Sequence, residues 1–171
     1  MDDMLTLSYR RAKAVEYAHR WAYFRNPDYM DAQGLGGDSA NFASQCVYAG
    51  SGVMNYQSAG GWFYISPANR SPAWAQTQCL YRFLASNDME GPYGYSTDSK
   101  GVLEGDLVQL AFQNREFVHT LVIVMICGKP TSDHILVAAH SSDADCRPLS
   151  SYSYSAARFL HIEGVRSRFP V

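Results

Sequence analysis

The hydrophobic periodicity changes halfway along the chain, and that switch limits the fold more than any other feature of the sequence. Over residues 8–26, Ala12, Val15, Ala18 and Ala22 recur at three- and four-residue steps, with Tyr17, Trp21 and Phe24 partly in phase. Arg10, Lys13, Glu16 and Arg20 supply the opposite face, so the spacing predicts an amphipathic helix that Asn26-Pro27-Asp28 ends. A second helix is predicted from Ser39 to about Gly50, with Phe42, Ala43, Cys46 and Val47 on one side and Gly50, Gly52 and Asn55 as its stop. Helical spacing resumes from Trp74 to Leu84. Beyond Gly101 the apolar runs 107–112, 117–126 and 135–139 are rich in Val, Ile, Leu and Phe and are divided by turn residues, so they read as adjacent antiparallel strands. Residues 157–162 are a further strand candidate. Helices first and strands second predict an α+β fold in which N-terminal helices pack on a C-terminal antiparallel sheet.

The segments between are read as connections. Gly60-Gly61-Trp62-Phe63-Tyr64 reads as a loop or edge strand, and the Gly-, Ser-, Asp-, Pro- and Tyr-rich stretch 87–101 as a surface loop. No repeat, linker or low-complexity stretch divides the chain, so residues 1–171 are expected to form a single domain. With 14 Lys and Arg against 16 Asp and Glu, it lacks the basic excess of a nucleic-acid binder. The longest apolar run, 121–127, is of strand length, so no membrane span is expected. Met1-Asp2-Asp3-Met4 has no basic region leading into an apolar stretch, so the chain is expected to carry no secretory signal, although it can be a segment of a longer secreted protein. Cys46, Cys79, Cys127 and Cys146 are widely spaced and form neither a disulfide framework nor a zinc pattern.

Two positions suit chemistry. Ser39 follows a glycine-bearing turn, Gln33-Gly34-Leu35-Gly36-Gly37-Asp38, and opens a helix. There the backbone N–H groups and helix dipole favour a nucleophile or a developing oxyanion; the plainer reading makes Asp38 or Ser39 an N-cap. No Gly-Lys-Ser/Thr follows, so the turn is not a phosphate loop. His119 heads the most apolar strand. If that strand turns near residues 128–132 and returns through 135–139, His140 or the nearby Asp143 comes to lie beside it at one edge of the sheet.

The stretch Asp38-Ser39-Ala40-Asn41-Phe42-Ala43-Ser44-Gln45 with Cys46 resembles the Asp-Cys-Thr-Asn-Phe-Val-Ser-Gln signature of the bacterial amidase domain family within the papain-like cysteine amidohydrolases. Further segments are similar to that family in the same order: Tyr9-Arg10, Trp21-Ala22 with Arg25-Asn26-Pro27, Gly52-Val53-Met54-Asn55, Gly61-Trp62, Arg70-Ser71-Pro72-Ala73-Trp74, Glu104-Gly105-Asp106-Leu107, His119-Thr120-Leu121-Val122 and Val137-Ala138-Ala139-His140-Ser141. The resemblance implies a papain-like fold and cofactor-free hydrolysis of an amide or peptide bond, with cell-wall peptide as a plausible substrate and a secreted or envelope setting. It implies a nucleophile at position 39, a general base at His119 and an orienting group at His140, with Asp143 as the alternative. It also implies an oxyanion hole made by the N–H of residue 39, with Gln33 as the side-chain candidate.

Serine stands where the signature has cysteine. A serine hydroxyl is the weaker nucleophile, because a thiol of pKa about 8.5 can be poised as thiolate and a hydroxyl cannot. Cys46 cannot substitute, being about 10 Å further along the helix. The sequence leaves three readings: a Cys-to-Ser form of a cysteine amidase, inactive or trapped; a natural pseudoenzyme keeping its cleft as a peptide- or glycan-binding module; and a working serine amidase, for which no Gly-x-Ser-x-Gly elbow is visible. Trp62, Tyr93 and Tyr95 are candidates to line the cleft, against the alternative that such aromatics pack the domain. Metal binding by His119, His140, Asp143 and Asp145 would leave the helix-start motif without a role, and no metal is expected.

Overall fold

The computed structural model describes residues 4–171. Nine strands and four helices follow in the order β1 (Leu5–Leu7), α1 (Arg11–Trp21), α2 (Ser39–Ser51), β2 (Tyr64–Ser66), β3 (Asn69–Arg70), α3 (Pro72–Ala75), α4 (Thr77–Ser86), β4 (Gly91–Thr97), β5 (Leu107–Ala111), β6 (Phe117–Ile126), β7 (Ile135–Ala139), β8 (Ala144–Pro148) and β9 (Ala156–Ser167). The fold is α+β. Seven strands make one antiparallel sheet in the order β1-β9-β5-β6-β7-β8, with β4 also paired to β9, while β2 and β3 form a separate small ribbon.

The alternation of side chains along the strands divides the core in two. Leu107, Val122, Val124, Ala138 and Leu160 face the helices and join Phe42, Cys46, Trp62 and Trp74 in one cluster. Val108, Leu110, Leu121, Ile123 and Val137 face the other way, where Leu149 and Tyr152 cover them. Both faces of the central strands are buried, which accounts for the nearly unbroken apolar run of β6. Asp106, fully buried, ties α1 to this sheet: it accepts hydrogen bonds from Arg11 (2.6 Å) and the Ile162 N–H (2.9 Å), and pairs with His161 at 2.8 Å.

Several sequence expectations need correction. Residues 87–101 are not all loop: Gly91–Thr97 pair along β9 from Arg166 to Phe159, around an irregularity at Tyr93/Gly94. Pro92 is tolerated because β4 lies at a sheet edge. The helix expected over 74–84 is two helices, broken where Gln76 turns extended (φ −121°, ψ 128°). The first helix is shorter than 8–26, and β1 and β8 carry no sequence signal strong enough to have been expected.

Candidate active site

The start of α2 is shaped by two glycines and a carboxylate. Gly36 and Gly37 take positive φ (101° and 117°), and a Cβ on Gly37 would lie 3.3 Å from Ser141 Oγ, so this turn requires glycine. Asp38 occupies the N-cap position without a side-chain capping bond. Its carboxylate instead accepts the Ala32 N–H (2.9 Å) and Asn41 Nδ2 (2.8 Å), and its second oxygen lies 2.5 Å from His140 Nδ1. Burial acts to raise the Asp38 carboxyl, but these hydrogen bonds and the charge of His140 outweigh it and hold it below the ordinary value. The Asp38 N–H donates to Ser141 Oγ at 2.7 Å, which fastens the turn to the end of β7.

Ser39 therefore sits at the first position of a 13-residue helix, almost fully buried. Its Oγ accepts the Thr120 N–H at 3.2 Å, so the hydroxyl lies against the backbone that carries His119. Ser39, His119 and Ser141 open on one cleft of about 370 Å3, bounded also by Gly37, Gln76 and Gln78. Among the described residues no hydrogen bond joins Ser39 Oγ to the His119 ring. The alternation of β6 explains why: Thr120, Val122 and Val124 face the helices, while His119 shares its side with Leu121 and Ile123, and its ring centroid lies 6.0 Å from that of Tyr152. Burial and then the positive charge of Arg147 push the His119 pKa down to about 4, so its imidazole is neutral at neutral pH.

His140 is not turned toward His119. One ring nitrogen meets Asp38, the other lies 2.8 Å from the Trp21 carbonyl at the end of α1, and the ring stacks on Phe42 at 4.0 Å. With both nitrogens engaged, His140 braces the end of α1 against the start of α2. Asp143 is held by a two-pronged bond from Arg25 (3.0 Å each), and Asp145 by His19 (2.8 Å), so neither joins His119 and the four residues weighed as a metal set are dispersed. Gln33 is exposed in the short 3₁₀ turn Gln33–Leu35, and the part of that loop lining the cleft is residues 35–37.

The aromatic candidates also lie elsewhere. Trp62 is fully buried: its Nε1 donates to Ser44 Oγ (3.0 Å), and its ring stacks on Phe83 and packs against Trp74. Tyr93 and Tyr95 are on β4, which reaches the sheet through β9 and so stands three strands from β6. Tyr93 lies under the Arg166 guanidinium (3.6 Å), and Tyr95 is half exposed beside His161. Asn41 and Gln45 serve packing: Asn41 accepts Trp74 Nε1 (2.8 Å) and Gln45 accepts the Tyr17 hydroxyl (2.7 Å). Gln76, Gln78 and Ser141 line the cleft unforeseen; only the last had a sequence signal, its place directly after His140 in a family-like segment.

The model of a family described as "Putative amidase domain" matches residues 8–162, and the chain belongs to that family. It is similar to the uncharacterized protein YhbB of Bacillus subtilis (strain 168), with 28% identity over 142 residues, 81% of this chain and 43% of the relative. The chain thus spans less than half the length of that relative. No solved structure matches it.

Proposed function

We propose that this chain is an amide or peptide hydrolase domain of the papain-like cysteine type, in which position 39 carries the nucleophile and His119 is the general base. The observation that carries the reading is the seating of Ser39 Oγ at the head of α2 against the His119–Thr120 backbone, in a cleft that His119 also lines. The first N–H groups of a helix have no intrahelical acceptor, so the N–H of residue 39 is available to a developing oxyanion. His119, neutral at neutral pH, would take the proton of the position-39 group as it attacks the carbonyl carbon. It would then return that proton to the departing amine, and water would release the acyl group by the reverse route. This requires a ring nitrogen of His119 within about 3 Å of the reacting atom once substrate is bound.

The third member of the site is reassigned. His140, through Asp38, sets the backbone on which residue 39 rides, and acts as a positioning residue rather than as the partner of His119. With serine at position 39 the acyl-transfer step is strongly impaired, since the hydroxyl is not poised as an anion. A peptide, including cell-wall peptide, is the substrate class we infer. The test is to restore cysteine: the Ser39→Cys protein should hydrolyse peptide amides that the Ser39 protein leaves intact. Equal inactivity of both toward a broad set of peptide amides would count against hydrolysis and in favour of a binding module.

A further inference from the structure

His119 separates the Ser39 cleft from a second pocket of about 410 Å3 whose wall includes Arg147, Ser151 and Tyr152. The two share Val118, His119 and Ser141, so a ligand lying across the sheet end would occupy both. Arg147 is on β8, opposite Val137. Its guanidinium lies 3.7 Å over the Tyr152 ring, Nε donates to Ser151 Oγ (2.8 Å) and Nη2 to the Ser151 carbonyl (3.1 Å). These contacts fix its plane but supply only neutral acceptors. Among the described residues no carboxylate lies within ion-pair distance of Arg147; Arg10, Arg20, Arg70, Arg82, Arg115 and Arg166 likewise have none, but none of them lines either pocket beside His119. Arg158 also lacks a carboxylate, but it is closed in by Gln78 and Gln109 and by the Tyr81 and Phe117 rings. Tyr152 Oη is buried in the same wall, and among the described residues no hydrogen bond reaches it.

A guanidinium held flat, with an unused Nη1 edge and no counter-charge, is the arrangement that binds a carboxylate by parallel N–H···O bonds. We propose that Arg147 is the specificity-determining residue that anchors a carboxylate of the substrate, making the preferred ligand an acidic peptide. This rests on the reading of the Ser39–His119 cleft as the substrate site. A carboxylate can come from an acidic side chain or from a chain terminus, and the pocket suits either.

The test is an NMR titration of the Ser39 protein with three probes: Ac-Ala-Glu-Ala-NH2, Ac-Ala-Gln-Ala-NH2 and Ac-Ala-Ala with a free C-terminal carboxylate. At least one carboxylate probe should bind about 10-fold more tightly than the glutamine probe, as expected of one charge-assisted contact. Which one does so identifies the source. Arg147→Gln should abolish the preference while leaving the thermal midpoint near that of the parent, and Arg147→Lys should keep part of it. Should Arg147→Gln fail to fold, the Arg147→Lys protein decides, through a partial loss. Equal binding of all three probes, no measurable binding of any, or an undiminished preference in the variants overturns the proposal. The hydrolase reading is scored separately, by alkylation of the Ser39→Cys protein, with Arg147 intact, by neutral iodoacetamide, a reagent with no carboxylate for Arg147 to hold.

Discussion

In the mechanism proposed above the chemistry turns on His119, and the residue's environment fixes its protonation. Burial and Arg147 together lower its pKa from the usual 6.5 to about 4. A titration of its ring signals in the Ser39 protein should show a midpoint near 4, and Arg147→Gln should move that midpoint upward; a midpoint near 6.5 in both would contradict the burial seen here. The sign for stability follows. Because the unfolded chain binds a proton at higher pH than the folded one, stability falls as pH drops from about 6.5 toward 4, by up to about 3 kcal/mol. His119→Gln should flatten that segment of the stability–pH curve. Asp38 acts in the same direction at lower pH, with a folded carboxyl held low, so its contribution is present above the ordinary carboxylate range and is lost in acid. Asp38→Ala leaves His140, Asn41 and the Ala32 N–H without their acceptor, and thermal melts should show a loss of about 3–5 kcal/mol. That pairing was hidden in the sequence. Asp38 reads locally as a cap, and only the approach of β7 to the start of α2 reveals its partner 102 residues away.

At the scale of elements, the legible parts were those whose pattern has one physical cause. The three- and four-residue spacing of α1 and the β-branched runs of β5, β6 and β7 report burial directly, and Gly36 and Gly37 before α2 report the positive φ of their turn. The pairing of residues 135–139 beside β6 followed from the turn between them. What local pattern could not give was any strand defined by its partner. β4 has the composition of a loop and is a strand because β9 offers an edge, and β8 is held by β7 in the same way. Trp62 misleads for a related reason: a tryptophan between glycines and prolines looks exposed, yet the short bridge between Asn55 and Trp62 folds it inward onto Ser44 and Trp74. Trp62→Ala should therefore destabilise by about 3–5 kcal/mol in chemical denaturation, as expected of a buried aromatic and not of a cleft residue. A loss below about 0.5 kcal/mol, the range of surface changes, would contradict its placement.

At the scale of the whole molecule, helices and sheet meet at the proposed site, where the head of α2, the start of β6 and the end of β7 converge. The family match covers residues 8–162, but the sheet extends past both limits: β1 and the first residues of β4 (Gly91, Pro92 and Tyr93) pair with residues 164–167. A chain ending at Ile162 should melt at a lower temperature than the full chain; an unchanged midpoint would show that those pairings contribute nothing. The sequence could identify the proposed site because Ser39 and His119 each stand at an element boundary. It could not say which way the histidines face, since a strand's parity is set by the cores on its two sides, and here both sides are apolar.

The most direct measurement is site-resolved alkylation of the Ser39→Cys protein by iodoacetamide at neutral pH, followed by mass spectrometry, with and without His119→Gln. Position 39 should react faster than the exposed Cys127 and Cys146, and adding His119→Gln should slow it and reduce peptide-amide hydrolysis by about 100- to 10,000-fold. A thiol at position 39 that reacts no faster than those two surface thiols, or that is indifferent to the loss of His119, would contradict the assignment of nucleophile and base.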